Sequence, residues 1–150
     1  WKKHSEIVIE ASLNLSVYAS KYIKNSINPS IVNLSSIVSE KVANNSCSLS
    51  YHISKAGLNQ LTRYLAKKIG YEYQIRVNAI APGLIKKNDL LEHDHIVKRI
   101  VPLKRHGEKS EVGDLVSFLL SNKSSYITGQ IITIDGGLGL SENYELSKTF

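Results

Sequence analysis

Apolar side chains along the 150-residue chain recur at two different spacings, and the alternation between them predicts its elements. From about Ser5 to Lys24, Ile9, Leu13, Val17, Ala19 and Ile23 fall at helical spacing, and the breaker-rich stretch Asn25 to Pro29 ends that helix. Ile31 to Leu34 is a short β-branched run of the kind that forms a buried strand. After a polar stretch from Ser35 to Ser50, a second helical pattern runs from about Tyr51 to Ile69. It is carried by Ile53, Leu58, Leu61, Leu65 and Ile69, with Gly70 as its stop. Ile75 to Ala81 reads as a second buried strand, closed by Pro82-Gly83. The segment 84–108 is polar and basic, with helical character near Leu90 to Ile100. Glu111 to Leu120 predicts a further helix, and Ile131 to Ile134 a third apolar strand that ends at Asp135-Gly136-Gly137.

Strands separated by helices of this length imply βαβ units and a parallel sheet. Because the strands are continuously apolar rather than alternating, both sheet faces are expected to be covered. The fold class is therefore α/β, a partial doubly wound parallel sheet of three strands with flanking helices. Ligands of such sheets bind beyond the carboxyl ends of the strands. That draws attention to Ser35-Ser36, Pro82-Gly83 and Asp135-Gly136-Gly137.

Composition narrows the functional classes. With 42% hydrophobic and 21% charged residues the chain is ordinary for a globular domain. No apolar run approaches the ~18 residues of a membrane span, so no membrane partner is expected. Cys47 is the only cysteine, which excludes an internal disulfide and a thiolate metal cluster. No metal site is expected, and a lone thiol suits a reducing cytoplasm. Between Ser46 and Ser48 in a polar loop, Cys47 reads as incidental. The net charge of +6 raises the question of nucleic acid, but the basic residues are dispersed and no nucleic-acid motif accompanies them. One local excess remains: Lys86, Lys87, Lys98, Arg99, Lys104 and Arg105 against Asp89, Glu92 and Asp94. It is either a solvated helix face or a means of meeting an anionic ligand.

The chemistry concentrates in Tyr51-His52-Ile53-Ser54-Lys55. Spacing of i, i+4 on a helix puts Tyr51 and Lys55 on one face, a turn apart. A phenol, with an ordinary pKa of about 10, is a poor proton acceptor at neutral pH, and a neighbouring ammonium favours its ionised form. The pair therefore has the makings of a general acid/base.

A strand ending in Ser35-Ser36, the Tyr51-x-x-x-Lys55 helix, the strand Arg76 to Gly83 ending in Pro-Gly, and the stretch from Ile127-Thr-Gly-Gln to Asp135-Gly-Gly137 follow one another in a fixed order. In that order and spacing the chain resembles the short-chain dehydrogenase/reductase family over nearly all of residues 5–140. The resemblance implies a Rossmann-type oxidoreductase that moves hydride between NAD or NADP and a carbonyl or secondary alcohol, such as a 3-oxoacyl-carrier or a sugar substrate. It implies Tyr51 as the residue that gives or takes the substrate proton, and Lys55 as the lysine that assists it and holds the nicotinamide ribose. Ser36, with Ser35 as the neighbouring candidate, matches the serine that hydrogen-bonds the substrate oxygen. Asn14, in Leu13-Asn14-Leu15-Ser16, matches an asparagine that anchors a water in the proton relay. Pro82, Gly83 and Ile85 match the segment along the nicotinamide, where Gly83 would allow close backbone approach and Ile85 would contact the carboxamide through its backbone. Lys87 stands where many relatives have a threonine that touches the pyrophosphate. The segment after Gly83 corresponds to a substrate lid, so its cations could read an anionic handle. Homodimers or homotetramers are common in the family.

The glycine-rich turn that grips a dinucleotide in this family is absent, and the chain opens on Trp1 rather than Met. Residues 1–150 are therefore expected to be the C-terminal part of a single NAD(P)-binding domain, with the N-terminal nucleotide-binding units lying before Trp1. The choice between NAD and NADP is not written here. A truncated, inactive scaffold that serves a partner is the alternative reading.

Overall fold

The computed structural model describes residues 2–42, 47–86 and 94–140. Trp1, Lys87, Asp89, Glu92 and the predicted helical start at Leu90 lie outside the described residues.

The first predicted helix is a continuous rod of three segments: α1 (Lys2–Ser5), a π-helical turn (Glu6–Glu10) and α2 (Ala11–Ile23). Then come β1 (Ser30–Leu34), a 3-10 turn (Ile37–Ser39) and α3 (Leu49–Tyr73). β2 (Arg76–Pro82), α4 (Asp94–Ile100), α5 (Lys109–Leu120), a second 3-10 turn (Asn122–Ser124) and β3 (Ile131–Ile134) follow, and Leu138–Leu140 closes the described chain as a 3-10 turn.

α3 is longer than its apolar pattern suggests. Ser48 caps its start by accepting from Tyr51 N–H (3.3 Å). Gly70 does not stop it. The glycine lies inside the last turn, at a cost of about 1 kcal/mol that tertiary packing overrides. Tyr73 packs against the core beyond it, and the helix ends where Gln74 turns left-handed (φ 57°, ψ 28°) and its N–H closes on Gly70 O.

The sheet is parallel, in the order β1-β2-β3, with Ser30 opposite Arg76 and Ala79 opposite Ile131. In β2 every residue from Arg76 to Ala81 is buried. Side chains alternate across a strand, so both faces of β2 must be covered, as the continuous apolar pattern implied. On one face Leu65, Ala66 and Ile69 of α3 meet Ile75 and Val77, with Leu13 of α2 alongside. Elsewhere α5 packs against β1 and β2. Arg76 is buried yet fully engaged: it donates to Asn28 Oδ1, Ser124 Oγ and the carbonyls of Ser121 and Ile127. Burial pulls its pKa down from the ordinary arginine value. No described helix is long and apolar enough to cross a membrane.

Candidate active site

The carboxyl ends of the strands open onto a cavity of about 610 Å³. Its floor is the turn Leu34 to Val38 with Tyr51 and Lys55 of α3. Its roof is Pro82 to Lys86 with Ile100, Lys109 and Val112, and Leu138 and Cys47 complete the walls.

Tyr51 and Lys55 both line the cavity, as their spacing predicts. The Lys55 ammonium lies 5.7 Å from the centroid of the Tyr51 ring and donates to the carbonyl of Leu34 at 2.7 Å. That bond draws the lysine across from α3 to the end of β1. Burial strips hydration from the ammonium and lowers the Lys55 pKa below its ordinary value. Tyr51 lies in the first turn of α3, where the helix dipole adds positive potential. His4 approaches its ring edge-on (centroids 6.4 Å apart) and is itself hydrogen-bonded to Ser50 Oγ at 2.8 Å.

The two serines that the sequence leaves as alternatives have different environments. Ser35 is buried and its hydroxyl is turned into the body of the protein, donating to Asn59 Oδ1 at 2.6 Å and approaching Lys55 O at 3.4 Å. Ser36 is half-buried on the cavity wall. Its hydroxyl accepts one long bond, from Val38 N–H at 3.4 Å, which leaves its own proton uncommitted among the described residues.

Across the cavity, Pro82, Gly83 and Ile85 form the opposite edge. Gly83 also has a packing reason. A Cβ at this position would lie 2.6 Å from Asp135 Cβ and 2.8 Å from Asp135 Cα, so the glycine lets the ends of β2 and β3 close on each other. Asp135 is committed to its own turn, accepting from Gly137 N–H and Gly139 N–H at 2.9 and 2.7 Å. Gly136 and Gly137 both have positive φ, which a side chain would resist. Ile85 bridges to Gly107 through its neighbours: Lys86 N–H donates to Gly107 O, and Gly107 N–H to Leu84 O, each at 2.9 Å. Backbone groups alternate sides along an extended strand, so the N–H and C=O of Ile85 point away from Gly107 and have no partner among the described residues.

Asn14 is not brought to this site. It is exposed on α2 and does not line the cavity. Ile9 already meets Gly57, two turns below the start of α3, and Leu13 packs near Leu65 to Ile69. Asn14 therefore lies level with the middle of α3, well below Tyr51.

The cation excess also divides. Lys86 lines the cavity, whereas Lys98, Arg99, Lys104 and Arg105 do not. Arg105 instead grips Glu111 through two bonds of 2.8 and 2.7 Å. Lys109 joins Lys86 and Lys55 in the lining, and the described lining residues include no carboxylate. Lys109 escaped the sequence reading because nothing near it marks a site; only tertiary packing brings the start of α5 over the strand ends. Cys47, read as an incidental loop thiol, lines the cavity and packs with Tyr51 against Ile37 and Val38.

Comparison with known proteins shows which proteins the chain is similar to. A family model described as enoyl-(acyl carrier protein) reductase matches residues 1–139. The chain is 37% identical over 143 residues to the 3-oxoacyl-[acyl-carrier-protein] reductase of Thermotoga maritima, covering 92% of this chain and 56% of that one. It is 42% identical over 135 residues to a tropinone reductase homolog of Arabidopsis thaliana, covering 86% and 50%. Among solved structures, a 3-oxoacyl-[acyl-carrier protein] reductase of Brucella melitensis with bound NAD superposes with a TM-score of 0.83 at 28% identity, over 94% of this chain and 52% of the other. The chain thus spans about half the length of the relatives it matches.

Proposed function

Since the chain belongs to the short-chain dehydrogenase/reductase family, we propose that its cavity is the chemical half of a nicotinamide-dependent oxidoreductase site acting on a carbonyl or secondary alcohol. The observation that carries this reading is the convergence of Ser36, Tyr51 and Lys55 on one cavity wall, facing the backbone of Ile85.

The residues present suit a nicotinamide. The unpaired N–H and C=O of Ile85 form a donor–acceptor pair of the kind a carboxamide requires. Pro82-Gly83 offers a flat backbone edge, and Lys55 places an ammonium across from it. When bound, the nicotinamide supplies or accepts the hydride. NAD and NADP both remain open; the Brucella melitensis relative holds NAD. Tyr51 holds the proton at its phenol oxygen and delivers it to the substrate oxygen in reduction, or removes it in oxidation. Lys55 provides positive potential beside that oxygen, and the Ser36 hydroxyl donates to the substrate oxygen and orients it.

The family's glycine-rich turn between a first strand and helix is not written in these 150 residues, so the reading places the grip on the adenosine end outside them, residues 1–150 being the C-terminal part of one NAD(P)-binding domain. The relatives' names differ in substrate, and the cavity adds a discriminating feature. Lys86 and Lys109, on an otherwise apolar wall, suit a carbonyl compound with an anionic handle. Leu15, Tyr18 and Tyr22 leave an apolar stripe exposed on α2, consistent with assembly into homodimers or homotetramers.

The test is turnover by the protein in its full natural length, with NADH and NADPH, on acetoacetyl-coenzyme A and on a neutral ketone. Tyr51→Phe should lower kcat/KM by about 10²–10⁴-fold while cofactor affinity is kept. Unchanged turnover in Tyr51→Phe would refute the assignment. Absence of turnover in the wild type would favour an inactive scaffold.

A further inference from the structure

Ser36 can orient a substrate against Tyr51 only if the end of β1 is held rigidly against α3. Besides the bond from Lys55 to Leu34 O, the hydrogen bonds at this junction run through one side chain that does not line the cavity. Asn59 lies two turns beyond Tyr51 on α3, 3% exposed, and does not line the cavity. Its Oδ1 accepts from Ser35 Oγ at 2.6 Å, and its Nδ2 donates to Ser39 Oγ at 2.8 Å. The Ser39 hydroxyl in turn donates to the carbonyl of Ser36 at 2.6 Å.

The proton direction along this chain is fixed by chemistry. A serine hydroxyl has one proton to give. Ser39 spends its own on Ser36 O, so it must accept from the Asn59 amide; Ser35 gives its proton to Asn59 and so requires a carbonyl oxygen there. Reversing the amide would turn the Ser39 proton toward Asn59 and away from Ser36. Asparagine is therefore matched to this position as a donor and an acceptor together. Aspartate offers two acceptors, leucine offers neither, and glutamine has an extra methylene to fit into a buried site.

From this we infer that Asn59 is a positioning residue for the reaction: it sets where the Ser36 hydroxyl stands relative to Tyr51. Three ties fasten the turn Leu34-Ser35-Ser36 to α3. Lys55 holds Leu34 O, Asn59 holds Ser35 Oγ, and Asn59 through Ser39 holds Ser36 O. Two of the three depend on Asn59. Because Tyr51 and Lys55 belong to the same helix, Asn59 links the serine to both in one rigid frame, and small misplacement at a reacting centre costs about 10²-fold in rate. The inference rests on the function proposed above.

The experiment is steady-state kinetics of the full-length protein with acetoacetyl-coenzyme A and its preferred nicotinamide. Asn59→Asp should lower kcat by about ten- to hundred-fold with the KM for cofactor unchanged. Ser39→Ala, which removes the relay without placing a charge in the core, should lower kcat in the same direction with little change in Tm. The decisive arm is a Ser36→Ala background. If Asn59 acts through Ser36, adding Asn59→Asp or Ser39→Ala there should cost no more than about twofold further. An equal loss in both backgrounds, or a normal kcat in both single variants while Tyr51→Phe is inactive, would overturn this inference and leave the proposed function standing. A wild-type protein without turnover would overturn both.

Discussion

The floor and the roof of the cavity are built on different principles. The floor, where β1 ends against α3, is held by short polar bonds between residues 20 or more positions apart: Lys55 to Leu34, Asn59 to Ser35 and Asn59 to Ser39. Within the roof, whose described parts are residues 84–86 and 94–109, Ile85 bridges to Gly107, and Leu103 N–H donates to Gly136 O just beyond β3. Its own Ile96, Val97, Ile100 and Val101 form an apolar cluster with Leu138. Proton transfer requires groups fixed to fractions of an ångström, which directional bonds between rigid elements supply. Substrate choice tolerates looser geometry, which a loop-borne wall of lysines and aliphatic side chains supplies. On the function proposed above, this division assigns the rate to the floor and the choice of substrate to the roof.

The sharpest way to break this division is to compare the largest effect on each side. Tyr51→Phe should remove about 10²–10⁴-fold from kcat/KM on every carbonyl substrate, charged or neutral alike. A loss confined to anionic substrates would mean that the floor also selects, and the two regions would no longer be separable.

Gly83 is the joint between them, and its replacement should be the next largest effect. An alanine Cβ would be driven against the Cα and Cβ of Asp135, the latter engaged in its own turn. Gly83→Ala should cost about 1–3 kcal/mol of stability, as overpacking does, read as a lower Tm. Gly113 is the control: its Cβ would meet nothing within 4 Å on α5. Gly113→Ala should raise stability by about 0.5–1 kcal/mol. Equal Tm shifts of the same sign would show that Gly83 is no close-packed joint.

The floor was largely legible in the sequence, and the roof was not. Tyr51 and Lys55 declare themselves because helical periodicity brings i and i+4 together within one element, and the strand ends follow from three apolar runs. Asn59 was invisible because its partners Ser35 and Ser39 lie 24 and 20 residues away, and no local pattern encodes such pairings. The same holds for the different environments of Ser35, buried against Asn59, and Ser36, on the cavity wall. Asn14 was picked by local pattern alone, and in the structure it is exposed on α2 and does not line the cavity. The stop expected at Gly70 failed because packing by Tyr73 outweighs one glycine. In the roof, the count of cations was readable, but which of them face the cavity depends on how α4 and α5 fold back over the sheet.

That selection gives the third prediction. Lys86→Gln and Lys109→Gln should each raise the KM for acetoacetyl-coenzyme A by about five- to tenfold, which corresponds to about 1 kcal/mol of charge attraction near a surface. The KM for a neutral ketone should stay as it is. Neutralising Lys98, Arg99 and Lys104 together should leave both constants unchanged, since none of them lines the cavity. A larger effect from that triple variant than from Lys86→Gln would reassign the anionic handle to α4 and its loop.

The smallest effect concerns how the roof is anchored. Glu111, in the first turn of α5, accepts two bonds from Arg105 and one from the backbone N–H of Glu108 at 2.8 Å. The Arg105 bonds first, and then that N–H, pull its carboxyl from 4.5 down to about 2. A carboxylate whose pKa falls on folding binds fewer protons in the native state than in the unfolded one, so stability rises with pH across that interval. Its contribution is complete above about pH 4.5 and disappears as the pH falls through about 2. Wild-type protein should therefore melt above Glu111→Gln at neutral pH, and the difference should close between about pH 4.5 and about pH 2. The pair is exposed, so the gap should be small and should shrink in high salt. Turnover on a neutral ketone should be the same in both, because the floor does not touch this pair. A gap that persists unchanged at the acid end would mean that Glu111 supports α5 through its shape rather than its charge, and that the roof is tied down by packing alone.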